Sequence, residues 1–544
     1  MAHKRLLFRS EAREKLLRGA TLLADAVRVT LGPKSKSVLV SKRWGTPLVC
    51  NDGVTIAREI DLADPEENLG AQMLRQAAVR TGDAVGDGTT TSTLLAHAIW
   101  SEGARNVVAG ASGVDLKRSL DRGVVLAVKA LREISRPVQS RKERAQVATV
   151  SAHNDATIGE LVAEATERVG PEGVITVEEA KGIETELEVV EGMQFDHGYL
   201  SPYFVTAPDR MECVLGDPLV LLYDKRISSL SSIVPLLESV AQAGRPLLIV
   251  AEDVEAEALA TLVVNRIRGT LPCCAVKAPG FGDRRRAMMD DLAVLTGGKL
   301  VSEDVGVKLE KVVLADLGTA RRVIATRENT TIVGGGGDRR LIETRVGQLR
   351  RDIKDCKSDY DRDKLEERLA KLVGGVAVLR VGAPSEAEMK ARKEAFEDAI
   401  SATKAAIAEG VVPGGGLALL RLVDVVEAEA AKCDGDERTG LRILAHALEA
   451  PVRQIAANSD VDGGVVVEKM RAGKGAFGFD AATGKYLDLL EAGIIDATKV
   501  VRVGLENAVS IASVLLLTEA TLTELPEEEP KQGQGIGPGM GGLE

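Results

Sequence analysis

The stretch best suited to chemistry is GDGTTT at residues 86–91, which leads directly into an apolar helical pattern. Its glycines let the backbone approach a ligand closely, and the free N–H groups at the start of the following helix attract an anion. Asp87 supplies an oxygen ligand for Mg²⁺. The same residues also fit a plain helix start with Asp87 as the N-cap, which the local pattern alone favours.

Three other segments offer similar chemistry, and each has a simpler interpretation. VVPGGG at 411–416 is a second glycine-rich loop before a helix, and the presence of two such loops weakens the case for chance. Asp52, in the turn NDG, is either a helix cap or a second ligand. TLGP at 30–33 fits an ordinary helix stop, and Asp398 fits a solvated acid on a helix.

Composition excludes several classes of protein. The chain has 544 residues, 45% hydrophobic and 28% charged, and a net charge of −11, with no dense basic block for nucleic acid. No apolar stretch is long enough to span a membrane, and charges fill the N-terminus, so we expect a cytoplasmic protein with no membrane partner. The six cysteines lack a C-x-x-C pair and are expected to be reduced, and the five histidines lack zinc-site spacing. There is neither a P-loop nor a nucleophile elbow.

Periodicity predicts a helical first quarter, followed by an α/β segment. The helices are expected at 6–29, at 66–109 with breaks at Gly82 and Gly86, and at 115–134. The strands are expected at 37–40, 47–50, 173–179, 218–224, 245–253, 274–280 and 375–382.

Several later segments carry their own signals. Amphipathic helices at 229–243 and 255–268 should pack on their own sheet. The aromatic cluster at 195–204 is a candidate adhesive surface. A helical hairpin is expected at 341–373, and a capping box formed by Ser385 and Glu388 should open a helix that ends at Glu409. The polar, glycine-rich residues 527–544 are expected to be disordered.

Taken together, TLGPK at 30–34, NDG at 51–53, GDGTTT, VVPGGG and Asp496 resemble the group I chaperonins of the bacterial GroEL type. EGMQFDHGYLSPYF at 191–204 and KAPGFGDRRRAM at 277–288 are nearly verbatim segments of that family. The resemblance implies a multidomain α and α/β fold. It consists of a helical equatorial ATP-binding domain (1–135 and 410–526), a small α/β hinge domain (136–190 and 375–409) and an α/β apical polypeptide-binding domain (191–374).

The resemblance also implies roles for particular residues. Asp87 would hold Mg²⁺, and Asp52 and Asp398 would act on the water that attacks ATP. The positions that match nucleotide contacts are Thr30, Leu31, Gly32, Pro33, Asn51, Asp87, Gly88, Thr89, Thr90, Thr91, Gly415, Asp480, Ala481, Ala482 and Asp496. The positions that match outward-facing polypeptide-binding groups are Tyr199, Tyr203, Phe204, Val234, Leu237, Leu259, Val263 and Val264.

The partners implied are unfolded or partly folded polypeptides, a heptameric co-chaperonin of the GroES type, and further copies of the chain in sevenfold rings, usually two stacked. The cofactors implied are ATP and Mg²⁺, with K⁺ as a further candidate ion. Three features depart from the family: Asn51 replaces a frequent lysine, His197 replaces an arginine that pairs with an acid at Glu386, and the tail lacks a repeated Gly-Gly-Met run. They suggest an alternative, a divergent chaperonin that holds or scaffolds clients with little cycling. An unrelated ATP phosphotransferase is a weaker rival, because the chain offers it no substrate pocket.

Overall fold

The computed structural model describes residues 4–41, 47–170, 173–180, 182–229, 232–302, 308–356 and 358–524. The predicted disorder of 527–544 lies outside these residues. The α-helices of the described residues are α1 (Arg9–Arg28), α2 (Gly53–Glu59), α3 (Pro65–Val85), α4 (Thr89–Val108), α5 (Gly113–Ile134), α6 (Arg141–Ser151), α7 (Ala156–Val169), α8 (Val234–Ala243), α9 (Ala256–Ile267), α10 (Gly282–Thr296), α11 (Arg339–Asp355), α12 (Asp359–Gly374), α13 (Glu386–Glu409), α14 (Leu417–Ala430), α15 (Gly435–Ala447), α16 (Ala450–Asn458), α17 (Gly463–Ala472) and α18 (Thr498–Leu516).

The strands are mostly short and concentrate in the middle of the chain. They are β1 (Lys4–Phe8), β2 (Val38–Val40), β3 (Leu48–Cys50), β4 (Val174–Glu179), β5 (Glu186–Val190), β6 (Gly192–Asp196), β7 (Cys213–Gly216), β8 (Leu219–Tyr223), β9 (Arg226–Ile227), β10 (Leu247–Ala251), β11 (Asp253–Val254), β12 (Cys273–Lys277), β13 (Leu300–Val301), β14 (Gly318–Ala325), β15 (Asn329–Gly335), β16 (Val376–Val381), β17 (Val411–Pro413), β18 (Phe477–Asp480), β19 (Lys485–Asp488), β20 (Ile495–Ala497) and β21 (Ala520–Glu524).

The described chain divides into two compact units. The helical unit contains the described residues up to 139, residues 149–155 and those from 401 onward, and the sheet unit contains 140–148 and 156–400. The chain therefore leaves the helical unit and returns to it, as the resemblance implies. The finer division into three domains stays a prediction.

The helical unit is built on one large apolar core. Trp100 and Leu95 of α4, Leu23 of α1 and Leu74 of α3 are fully buried in it. Local signals fix the helix ends: Asp64 caps α3 by accepting hydrogen bonds from two backbone N–H groups, and Gly86 ends the helix in the left-handed conformation. Long helices with small residues at their contacts pack closely, which holds the loops between them in place.

Two helix predictions need correction. Residues 6–8 were expected to be helical, but they belong to β1, which pairs antiparallel with β21 from the far end of the described chain. A strand partner more than 500 residues away leaves no local signal, and only five residues are involved. Gly82 does not break α3, because an isolated glycine within a helix is tolerated at a cost of about 1 kcal/mol.

The sheet unit has a mixed eight-stranded sheet and a separate three-stranded sheet. The larger sheet follows the order β12-β10-β8-β14-β15-β6, with β13 beside β8 and β7 beside β14. Strands β12, β10 and β8 run parallel, with α8, α9 and α10 in the connections, as in other α/β folds. The smaller sheet has the order β4-β16-β5, so residues 174–179, 186–190 and 376–381 meet there. The predicted helical hairpin is confirmed as α11 and α12.

Asp291 of α10 links this hairpin to the rest of the sheet unit. Its buried carboxylate accepts hydrogen bonds from Arg345 of α11 at 2.7 Å and from Arg368 of α12 at 2.8 and 3.0 Å. All three side chains are largely withdrawn from solvent. Charges paired in such a place are costly to leave without a partner.

We therefore predict that Asp291→Ala destabilises the sheet unit by about 3–5 kcal/mol, because it leaves two guanidinium groups without their shared acceptor. Calorimetric unfolding of the purified protein measures the effect. Glu343→Ala is the control: it removes a solvent-exposed pair with Arg339 on α11 and should cost less than about 1 kcal/mol. Equal losses in the two variants would contradict the prediction.

Candidate functional site

The sequence at residues 86–91 forms a sharp reversal between α3 and α4. Gly86 ends α3 at φ 70° and Gly88 begins α4 at φ 76°. A Cβ atom at Gly86 would lie 2.4 Å from Oγ of Ser401, and one at Gly88 would lie 2.6 Å from a methyl group of Val500. Both positions thus require glycine for its conformation and for its lack of a side chain. The turn presents the N-terminal amides of α4 and the hydroxyls of 89–91, an arrangement suited to an anion.

Asp87 is not the N-cap of α4, so the simpler interpretation of this stretch is wrong. Gly88 is the N-cap and no side chain caps the helix. Asp87 instead accepts a hydrogen bond from Oγ of Ser151 at 2.8 Å and one from the N–H of Gly88. Burial raises the pKa of Asp87, and the negative charge of Asp52 adds to this effect, while these hydrogen bonds and His153 act in the opposite direction.

Asp52 caps a helix and also lies close to the first site. Its carboxylate accepts hydrogen bonds from the N–H groups of Thr55 at 2.8 Å and Val54 at 3.3 Å, which fixes the start of α2. The next residue, Gly53, approaches α4 so closely that a Cβ atom there would lie 2.3 Å from Oγ1 of Thr90. The two interpretations of Asp52, cap or ligand, are therefore compatible.

The loop at 30–33 contacts the start of α4 as well. Oγ1 of Thr30 lies 3.1 Å from Oγ1 of Thr90 and donates to the carbonyl of Val27 at 2.9 Å. Helix α1 ends at Arg28, and Gly32 makes a separate turn at φ 90°. The segment is thus more than a helix stop, because its buried threonine hydroxyl is aligned with those of α4.

The second glycine-rich loop brings in Asp496. Strands β17 and β20 pair antiparallel with Val412 opposite Asp496, and a Cβ atom at Gly414 would lie 3.0 Å from the Asp496 carboxylate. Gly415 and Gly416 then adopt positive φ angles of 61° and 77° before α14. Burial raises the pKa of Asp496 to about 7, and repulsion from Asp87 contributes.

The hairpin of β18 and β19 completes the set. Asp480 accepts hydrogen bonds from the N–H of Ala482 at 2.9 Å and from Oγ1 of Thr483 at 2.6 Å, so its carboxylate shapes the turn. Ala481 is buried and Ala482 is exposed. A Cβ atom at Gly415 would lie 3.8 Å from the carbonyl of Phe479, which places this hairpin beside the glycine loop.

The helical unit therefore gathers six distant segments around the start of α4. They provide helix amides, hydroxyl groups and two neighbouring carboxylates with raised pKa values, Asp87 and Asp496. Such a donor set fits a polyphosphate that carries a divalent cation, because the cation compensates the repulsion between the acids. Within the described ranges, no cluster of three acidic, histidine or cysteine side chains could bind a metal by itself. Mg²⁺ needs none, since it usually takes one or two carboxylates plus phosphate and water.

Sequence reasoning missed two residues of this site. Ser151 and His153 come from the short segment 149–155, which carries no motif, and they act on Asp87 as described above. The positive φ of His153 and Asn154, 53° and 68°, marks the tight turn that brings this segment there. Asp398 lies half-buried on α13 in the sheet unit, so its role stays a prediction.

The aromatic cluster at 195–204 is mostly core, not surface. Tyr203 is 67% exposed, but Phe195, Tyr199 and Phe204 pack inside the sheet unit. Leu237 of α8 is also buried. The expectation that Tyr199, Phe204 and Leu237 face outward is thus wrong for this conformation, because large apolar side chains beside a sheet complete its core.

The remaining polypeptide-binding candidates lie at or near the surface of the sheet unit. Val234, Leu259 and Val263 are partly buried, and Val264 of α9 is 42% exposed. Arg266, also on α9, donates to the carbonyl of Val205 at 2.8 Å, which holds the Tyr203 segment against the helix. Tyr203 and the outer residues of α9 therefore share one region. Ile267 of α9 is 62% exposed and belongs to the same helix, but sequence reasoning did not name it as a polypeptide-binding residue.

Comparison with known proteins gives matches of two kinds, to a family model and to individual relatives. Residues 23–525 match the model of the TCP-1/cpn60 chaperonin family. The chain is also 68% identical over 527 residues to "Chaperonin GroEL 5" of Bradyrhizobium diazoefficiens, an alignment that covers 97% of each sequence.

We predict that Asp496 makes the nucleotide-free protein less stable as pH rises. Its folded-state pKa of about 7 exceeds the ordinary 3.8, so the folded form retains a proton between about pH 4 and 7 that the unfolded form has lost. The stability that the protonated Asp496 contributes to the folded form is fully present below about pH 4 and is lost as the pH rises to about 7. Asp496→Asn should therefore be more stable than the unmodified protein above pH 7, by a few kcal/mol at most, and similar near pH 4.

Thermal unfolding without nucleotide, measured across this pH range, tests the prediction. The control is Asp121→Asn, which changes a half-exposed carboxylate paired with Lys117 on α5. Its stability should change with pH in parallel with the unmodified protein. The same pH dependence for Asp496→Asn would show that this carboxylate does not retain its proton.

Proposed function

The chain belongs to the TCP-1/cpn60 chaperonin family, and we propose that it captures non-native polypeptides and encloses them in a ring cavity in an ATP-driven cycle. The resemblance to GroEL-type chaperonins and the multidomain α and α/β chaperonin fold are confirmed. Capture, enclosure and ATP hydrolysis by this chain are what we propose beyond family and fold.

The observation that carries the proposal is the convergence of six segments at the start of α4. Thr30 and Gly53 each lie against Thr90, the charge of Asp52 acts on Asp87, and the charge of Asp87 acts on Asp496. Helix amides would bind the phosphates, and the loop at 30–33 and the 480–482 turn would bind the rest of the nucleotide. Asp87 would hold Mg²⁺, which neutralises phosphate charge when bound. K⁺ is a further candidate ion.

Hydrolysis of ATP asks the protein mainly for positioning and charge neutralisation. Asp52 is held by the N–H groups of α2, so its carboxylate has a fixed position and stays an acceptor for the attacking water. Asp398 would accept a proton from the same water. A carboxylate supplied by a separate unit allows hydrolysis to depend on the arrangement of the domains.

Client capture would use the surface shared by Tyr203 and α9. Exposed apolar side chains such as Tyr203 and Val264 bind hydrophobic segments without regard to their sequence. Tyr199, Phe204 and Leu237, which are buried, would support that surface from beneath. Val234, Leu259 and Val263 contribute their exposed portions. A surface that binds a client through apolar contacts releases that client when a domain movement withdraws the surface.

The proposal includes partners as well. It calls for sevenfold rings, the stacking of two such rings, and a heptameric co-chaperonin that closes the cavity, in a protein that works in the cytoplasm. None of the helices in the described ranges combines the length and apolar character needed to cross a membrane. Electron microscopy with and without ATP tests the ring, its layers and its closure.

We predict that Asp398→Ala slows steady-state ATP turnover by roughly 10² or more while nucleotide still binds, since the change removes a proton acceptor and spares the phosphate-binding loops. A phosphate-release assay and a nucleotide-binding titration measure the two effects. Glu388→Ala, a change in a surface pair on the same helix, should leave turnover unaltered. Unchanged turnover in Asp398→Ala would remove this residue from the mechanism.

We predict that Tyr203→Glu weakens capture of a denatured client at least tenfold, because a charge at the most exposed aromatic of the surface opposes apolar contact. Capture is measured as suppression of client aggregation without ATP. Leu341→Glu places the same charge on an equally apolar, 59% exposed position of α11 and should retain capture. Intact capture by Tyr203→Glu would refute the assignment of this surface.

A further inference from the structure

We propose that Asn458, at the end of α16, is a positioning residue for the nucleotide loop at 30–33. The inference rests on the proposed ATP site, and it adds a residue that lies more than 400 positions from the loop it serves and that no motif identifies. Its basis is a set of hydrogen bonds and contacts within the helical unit.

The Asn458 side chain bonds directly to the loop backbone. Nδ2 donates to the carbonyl of Leu31 at 2.8 Å and to the carbonyl of Arg28 at 3.0 Å. Arg28 is the last residue of α1, so its carbonyl is one of those that a helix end leaves without an intrahelical partner. One amide group therefore joins the end of α1 to the nucleotide loop.

The orientation of this amide is fixed by its other side. Oδ1 of Asn458 accepts a hydrogen bond from Nε2 of Gln454, one turn earlier on α16, at 2.8 Å. If the amide were flipped, its oxygen would face two carbonyl oxygens and its NH₂ group would face another NH₂ donor. The side chain is only 8% exposed, so water does not replace these partners easily.

Helix α16 supports the loop by packing too. A Cβ atom at Gly32 would lie 3.3 Å from a methyl group of Ile455, so the turn rests directly on this helix. On the opposite side, Thr30 reaches Thr90 at the start of α4. The loop thus contacts both α4, which would bind the phosphates, and α16, which supports the loop.

This arrangement gives Asn458 an effect on binding rather than on chemistry. Without the two donated hydrogen bonds, the carbonyl of Leu31 loses its side-chain partner, the carbonyl of Arg28 keeps only the N–H of Leu31, and the loop is held less firmly. Nucleotide must then order the loop on binding, which lowers affinity in the ground state and the transition state equally. The expected signature is a raised KM for ATP with an unchanged kcat.

The test compares Asn458→Leu, which keeps the shape and removes both donors, with Gln454→Ala, which removes the partner of Oδ1 and leaves the two loop-facing donors. For Asn458→Leu we expect KM for ATP and Kd for Mg·ADP to rise about tenfold, with kcat within twofold of the unmodified protein. Gln454→Ala should change KM by less than about threefold. If Asn458→Leu does not fold, Asn458→Ser, which keeps one hydroxyl donor, is assayed in its place.

Hydrogen exchange without nucleotide provides a readout that does not depend on ATP. Loss of the Asn458 anchor should speed exchange at the amides of Leu31 and Lys36, which close the loop. Unchanged exchange, or a fall in kcat with constant KM, would overturn the proposal. Faster exchange in a protein that never binds nucleotide would instead refute the proposed ATP site and leave the anchor standing.

Discussion

One electrostatic constraint shapes the candidate site of the helical unit, the repulsion between two partly buried carboxylates. Asp87 and Asp496 belong to segments that the fold brings together from distant parts of the chain, and the charge of Asp87 raises the cost of ionising Asp496. Removal from water raises their pKa values further. A folded protein keeps such a pair only when the surrounding structure holds it in place, because the pair itself favours separation.

The hydrogen bonds, strand pairing and glycines of the site hold Asp87 and Asp496 in place. Hydrogen bonds from Ser151 and Gly88 offset part of the cost at Asp87, and the pairing of β17 with β20 fixes the backbone of Asp496. Glycines let these backbones approach more closely than any side chain would allow. The result is a pair of carboxylates beside helix amides, where a phosphate chain and its cation would each meet complementary charge.

The sequence predicted the parts of this arrangement that depend on local order. Gly86, Gly88, Gly415 and Gly416 are at the ends of helices, where residue type alone indicates the turn, and most long helices and the parallel strands lie close to their expected bounds. It could not predict β1, Ser151 or Asn458 from pattern, because each depends on a partner far away in the chain. The family resemblance supplied the grouping of the loops, which local spacing alone did not decide.

The aromatic cluster fails as a surface signal for a related physical reason. A run of aromatic residues indicates a large apolar area, but it does not say which side chains are covered, and the core of the sheet unit takes in Phe195, Tyr199 and Phe204. Phe204 is fully buried while its neighbour Tyr203 is mostly exposed, within one short 3₁₀ turn. The buried ring fixes the exposed one, because Phe204 anchors the turn and the bond from Arg266 holds the following residue to α9. A surface built in this way would keep its exposed side chains in place before binding, and apolar segments would then bind with a smaller loss of conformational entropy.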